Sequence, residues 1–117
     1  MEGKILIIDD EVDICTLLKL TLEKRGFTVL CVHTLRDALV NASAFEPAIV
    51  ILDINLPDGN GLEMLGRLKR VSKGIIVISA FDSVREKTEA FIKGATFFLA
   101  KPFRLPDAEN MVLQLAQ

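Results

Sequence analysis

The stretch Ala48-Ile49-Val50-Ile51-Leu52-Asp53, followed by Ile54-Asn55-Leu56-Pro57-Asp58-Gly59-Asn60-Gly61, decides the fold. The residues before Asp53 are all apolar, which reads as a strand buried on both faces. Residues 55–61 read as a loop, with Pro57-Asp58-Gly59 as turn formers. Asp53 is thus delivered to the exit of a central strand, where open α/β sheets place their chemistry. A second segment repeats the arrangement: Lys4-Ile5-Leu6-Ile7-Ile8 runs into Asp9-Asp10-Glu11. Three or four carboxylates are expected to share one rim, and like charges held close are neutralised by protons or a cation.

Outward from that centre, strand and helix alternate. Ile14, Leu17, Leu18, Thr21 and Leu22 recur at helical spacing up to Gly26, and Thr28–Val32 is β-rich. Leu35, Ala38, Leu39 and Ala42 fit a second helix, with Thr34 as its N-cap. Leu62, Leu65 and Leu68 mark a third helix ending near Gly74, and Ile75–Ser79 reads as the fourth strand. Val84, Thr88, Phe91 and Ile92 give the fourth helix, ended by Gly94, and Ala95–Ala100 gives the fifth strand. Ala108, Met111, Val112 and Leu115 give the last helix, with Pro106 in its first turn. Five such units with short loops predict right-handed crossovers and a parallel sheet covered on both faces.

The 117 residues suffice for one domain, spanning 1–117, with its own core. A hydrophobic content of 50% argues against disorder over most of the length. A net charge of -2 argues against a general electrostatic claim on nucleic acid. Cys15 and Cys31 make no metal-spaced pair and read as small buried thiols. The start of the chain lacks the basic and apolar regions of a signal peptide, and no apolar run reaches membrane-spanning length. The expectation is a cytoplasmic soluble domain.

In this architecture the strand exits share one edge. The polar residues there are Asp9, Asp10, Asp53, Ser79 and Lys101. Clustered carboxylates suit a hard divalent ion such as Mg²⁺. A lysine is a point-charge partner for a phosphoryl group, and a serine hydroxyl donates to a phosphoryl oxygen. Asp53 has the chemistry of a carboxylate nucleophile. Each residue also has a plainer reading: Asp10 as a helix N-cap, Asp53 as the start of a turn, Ser79 as a strand-end cap, Lys101 as a solvated charge. Four unrelated strand ends all supplying phosphate or metal chemistry favour the joint reading.

These motifs, Ile7-Ile8-Asp9-Asp10-Glu11, Leu52 through Gly61, Ser79-Ala80, Gly94-Ala95 and Lys101-Pro102-Phe103, resemble the response-regulator receiver domain of bacterial two-component signalling. The resemblance implies a (βα)5 doubly wound sandwich with flavodoxin-like strand order 2-1-3-4-5. It implies that Asp53 accepts a phosphoryl group from a phosphohistidine on a partner histidine kinase or phosphotransfer protein. By the same likeness Asp10, Asp53 and the backbone carbonyl of Asn55 ligate Mg²⁺, with Mn²⁺ as a substitute, and Asp9 acts through water. Lys101 pairs with the phosphoryl oxygens, Ser79 moves to hydrogen-bond them, and Phe98 turns inward as the switch aromatic. The Lys101-Pro102 bond is expected to be cis. The resemblance further implies that the chain is not an enzyme beyond its own phosphorylation and dephosphorylation, and that it controls an output domain or a partner, with transcription one such output.

Departures from the family pattern matter. Thr96 and Phe97 stand where transcription-regulating members carry two acidic residues, and residues 107–117 contain no Lys or Arg. A salt-bridged dimer is therefore in doubt, and an apolar face of the fourth helix, fifth strand and fifth helix, including Phe97, is expected to carry self-association. His33 reads as a surface or partly buried residue, and Arg85, Glu86, Lys87, Glu89 and Lys93 as a solvated face. The alternatives are a non-phosphorylated pseudo-receiver, a haloacid-dehalogenase-like phosphatase and a flavodoxin-like cofactor binder. The phosphatase reading wants an Asp where Asn55 stands and a cap insertion. The cofactor reading meets Asp9-Asp10-Glu11 where a phosphate loop belongs.

Overall fold

The computed structural model describes residues 3–81 and 83–117. In chain order its main elements are β1 (Lys4–Ile8), α1 (Val12–Glu23), β2 (Thr28–Val32), α2 (Leu35–Phe45), β3 (Ile49–Asp53), α3 (Leu65–Val71), β4 (Gly74–Ser79), α4 (Val84–Ile92), β5 (Phe97–Ala100) and α5 (Leu105–Leu115). The strands form one parallel sheet in the order β2-β1-β3-β4-β5, the expected topology. β3 and β4 are buried along their whole length, as their unbroken apolar runs require.

Alternation along the strands builds two cores. Ile5, Ile7, Ile49, Ile51, Ile76 and Ile78 pack against Cys15, Leu18 and Leu22 of α1 and Ala108 and Val112 of α5. On the other face Leu6, Ile8, Val50, Leu52, Ile75 and Val77 meet Ala38 and Ala42 of α2, Leu65 and Leu68 of α3 and Ala90 of α4. Each fully buried Ile or Leu contributes about 1.5–3 kcal/mol, so these layers fix the strand exits firmly.

Local chemistry sets the helix ends. Thr34 caps α2, its Oγ1 accepting from Asp37 N at 3.1 Å. The Asp58 carboxylate reaches the same helix start and accepts from Leu35 N at 2.9 Å and Arg36 N at 3.0 Å. Gly94 takes φ +121° after α4, a conformation that L side chains rarely adopt.

The structure refines three expectations. The 55–61 loop contains a short antiparallel ladder, Asn55–Leu56 against Gly59–Asn60. A 3-10 turn, Gly61–Met64, precedes α3. On α4, Val84, Phe91 and Ile92 mark the helix in the sequence, yet they are exposed; its buried residue is Ala90.

Candidate functional site

The sheet register assembles the site. Ile8 pairs with Leu52, and Asp53 with Ile78, so the ends of β1, β3 and β4 lie side by side. Asp9 follows β1 directly, and its N–H donates to Val32 O at 3.0 Å. Lys101 follows β5, and its N–H donates to Ser79 O at 2.8 Å. The Lys101–Pro102 peptide is cis. Asp9, Asp53 and Ser79 are buried, whereas Asp10 is exposed at the rim. Carboxylate oxygens of Asp9, Asp10 and Asp53 lie within 4.8 Å of one another. α1 begins at Val12 with Glu11 as N-cap, so Asp10 is not the capping residue.

Lys101 Nζ stands among the acids. It lies 2.8 Å from Asp53 Oδ2, 2.7 Å from Glu11 Oε1 and 3.1 Å from Asp9 Oδ2. These partners hold its ammonium well above the usual lysine pKa despite burial. Asp9 is pushed up to about 6, first by burial and also by the charge of Asp53, against the opposing pull of Glu11 N–H and Lys101. Its Oδ1 accepts from Glu11 N at 2.8 Å. Its Oδ2 is close to Lys101 but poorly aligned, and has no hydrogen-bond partner among the described residues. A buried acceptor left in that condition, beside two further carboxylates, is what a divalent cation would satisfy. The donor set is all oxygen, which suits Mg²⁺.

Asn55, Ser79 and Glu86 connect the acidic cluster to α4. Asp53 Oδ1 accepts from Asn55 N at 2.8 Å, so the turn-forming role of Asp53 coexists with its place in the acidic cluster. Ser79 Oγ lies 3.0 Å from Asn55 Oδ1 and donates to the Glu86 carboxylate. Phe98 is half-buried against the core that faces α2, α3 and α4, with Lys87 Nζ 5.7 Å from its ring centroid. Phe97 points to the opposite face and packs half-buried against the core beneath α1 and α5.

The family pattern described as "Response regulator receiver domain" matches residues 5–113. The chain belongs to the response regulator receiver family. "Transcriptional regulatory protein KdpE" of Mycobacterium tuberculosis (strain CDC 1551 / Oshkosh) is 36% identical over 104 residues, covering 88% of this chain and 46% of that protein. This receiver thus spans about half the length of the curated relatives it matches. A two-component response regulator from Clostridium difficile superposes with TM-score 0.90 at 25% identity, covering 97% of this chain and 94% of that one. A response regulator protein from Burkholderia pseudomallei, solved with a phosphorylated aspartic acid, a calcium ion and citrate, superposes with TM-score 0.84 at 28% identity. It covers 97% of this chain and 66% of that one.

Two residues of the receiver site escaped the sequence reading of its chemistry. Glu11 was seen only as part of an acidic run, yet it ion-pairs with Lys101. Glu86 does not join the solvated face that the charge pattern of α4 predicts: its carboxylate takes the hydrogen bond of buried Ser79. The pattern Ser83-Val84-Arg85-Glu86 has capping-box spacing, and Ser83 Oγ does accept from Glu86 N at 3.1 Å. That spacing was the available sign that Glu86 sits at a fixed point of the helix start. His33 is half-buried, with Nδ1 2.8 Å from the carbonyl oxygen of Asp9.

Proposed function

We propose that this receiver is a phosphorylation-dependent switch in which Asp53 accepts a phosphoryl group from a phosphohistidine on a partner kinase or phosphotransfer protein. The observation that carries the reading is the convergence of Asp53, Asp9, Asp10 and Lys101 at one strand edge. Asp53 Oδ2 forms the new P–O bond as the P–N bond to the donor imidazole breaks. Lys101, already on Asp53 Oδ2, meets the incoming phosphoryl oxygens. Positioning and charge neutralisation do most of the work in such transfers. Asp10, Asp53 and the Asn55 carbonyl would hold Mg²⁺, or Mn²⁺ in its place, with Asp9 through water. The ion supplies the extra positive charge that a phosphoryl group of about -2 demands beside two further carboxylates. A depression of about 420 Å³ lined by Ile14, Leu17, Lys101, Phe103 and Leu105 gives an incoming donor room beside the site.

Receivers of this family are signalling domains, and here the only chemistry proposed is gain and loss of the domain's own phosphoryl group. Ser79 would move from its present partners to the phosphoryl oxygens, and Phe98 would follow into the vacated space. The α4–β5–α5 face would then engage an output domain, a partner or a second copy. The apolar part of that face is on α4, where Val84 is 81% and Ile92 79% exposed, while Phe97 is half-covered from the α5 side. No helix among the described residues is long and apolar enough to cross a membrane.

Incubation with acetyl phosphate and Mg²⁺, read by intact mass, tests the proposal. One phosphoryl group is expected on the native chain and none on Asp53→Asn. No adduct with any phosphoryl donor would leave the pseudo-receiver reading in its place.

A further inference from the structure

Ser79 has more partners than its one proton can serve. Its Oγ accepts from Phe81 N at 3.0 Å and has both Glu86 Oε1 and Asn55 Oδ1 within donating reach. A hydroxyl donates once, and an ionised carboxylate is a stronger acceptor than an amide oxygen. Glu86 therefore holds the proton that a phosphoryl oxygen would need. Ser83 caps α4 through Glu86 N, which fixes the backbone of Glu86 at the helix start while its side chain reaches inward to β4. One residue further along, Lys87 lies over the ring of Phe98. Val77 pairs with Phe98, and Ser79 with Ala100, so the two gripped side chains sit on adjacent strands.

The geometry points to Glu86 as a latch that holds Ser79 away from Asp53 until a phosphoryl group competes for the hydroxyl, with Lys87 holding Phe98 in the same arrangement. Glu86 is a positioning residue: it acts through Ser79 and touches no reacting atom. The inference rests on the phosphoacceptor reading above and adds its off-state. Release of Glu86 frees the first turns of α4, so charge at Asp53 is relayed to the exposed apolar side of that helix. The same contact opposes spontaneous activation, because Ser79 has a strong partner already in place.

Beryllofluoride with Mg²⁺, a non-reacting stand-in for the phosphoryl group, provides the test by titration calorimetry. Four proteins are compared: wild type, Glu86→Ala, Ser79→Ala and the double variant. Glu86→Ala is expected to bind beryllofluoride about tenfold more tightly than wild type, and to change nothing in the Ser79→Ala background. Glu86→Gln, which keeps the side chain's size and a weaker acceptor, is expected to fall between. Equal affinity of wild type and Glu86→Ala would overturn the latch. So would an identical gain in both backgrounds, since Glu86 would then act only as a like charge near the anion. Wild type that shows no Mg²⁺-dependent binding at all overturns the phosphoacceptor reading, and the latch with it.

Discussion

Replacing Asp9 with Asn should stabilise the metal-free protein, although it removes an ion pair. Asp9 is fully buried, its Oδ2 has no hydrogen-bond partner among the described residues, and its carboxyl titrates at about 6 against an ordinary 3.8. A gap of roughly two pH units at about 1.4 kcal/mol each makes ionised Asp9 cost about 3 kcal/mol in the folded state. The direction follows from proton counts. Between pH 3.8 and about 6 the folded state binds more protons than the unfolded chain, so stability falls as pH rises. The contribution is complete below the unfolded value and lost as pH passes the folded one. Asn has the shape of the protonated acid without its charge. Asp9→Asn is therefore expected to exceed wild type by about 3 kcal/mol at pH 7.5, about 10 °C in midpoint, and to match it near pH 4. Urea unfolding followed by far-ultraviolet circular dichroism measures this, since the chain has no Trp or Tyr. Saturating Mg²⁺ is expected to narrow the gap, because a wild type that binds the ion would gain roughly 2.7 kcal/mol at one hundred times the dissociation constant. A variant no more stable than wild type at pH 7.5 without divalent ions would refute the reasoning. A difference that stays constant from pH 4 to 7.5 would refute it equally.

Three further outcomes follow from particular contacts. Gly61→Ala places a Cβ 3.0 Å from Ile54 Cα and 3.1 Å from Asp53 O, so it is expected to lower both the urea midpoint and the acetyl phosphate adduct yield. An unchanged yield would mean that the loop gives way without disturbing Asp53. Asp58→Ala removes the acceptor of two α2 amides, and is expected to lower the unfolding midpoint at pH 7. Those amides hold the Asp58 carboxyl below its usual range, so the loss disappears as pH falls through that depressed value. Ile92→Ser, at an exposed position of α4, is expected to leave stability near wild type and to reduce self-association of the beryllofluoride form in light scattering. Unchanged association would place the contact elsewhere.

The strands were legible because burial on both faces leaves no freedom for polar residues, as in Ile49–Leu52. The acids and Lys101 were legible as types at strand exits, and parallel topology did the rest. What could not be read had physical causes. Leu62, Leu65 and Leu68 are three apart, a spacing that a 3-10 turn and an α-helix both satisfy, so the change at Met64 left no mark. α4 packs through Ala90, a small residue, and a helix that seats itself by a small side chain cannot be phased from its large ones. Glu86 is one of four charges on α4; its spacing from Ser83 marks the helix start, and its contact with Ser79 gives it its role.

Asp9 and Ser79 share one logic. Asp9 carries a buried carboxylate that shares Lys101 with Asp53 and Glu11. The three protons of the lysine ammonium go to Asp53, Glu11 and Oδ1 of Asp9, which leaves Oδ2 of Asp9 without a hydrogen bond among the described residues. Ser79 has the opposite imbalance, one proton and two acceptors. Arrival of a cation and a phosphoryl group would correct the first and compete in the second. In that proposal the cation would meet the unmatched carboxylate, and the phosphoryl group would draw both Lys101 and Ser79 from their present partners. A pocket fully satisfied when empty would have no such response, since a ligand shifts an equilibrium only by its differential affinity for the two states. On the proposed phosphoacceptor reading, the cost of an ionised Asp9 and the hold of Glu86 on Ser79 would be the two quantities that set how far phosphorylation of Asp53 would move α4.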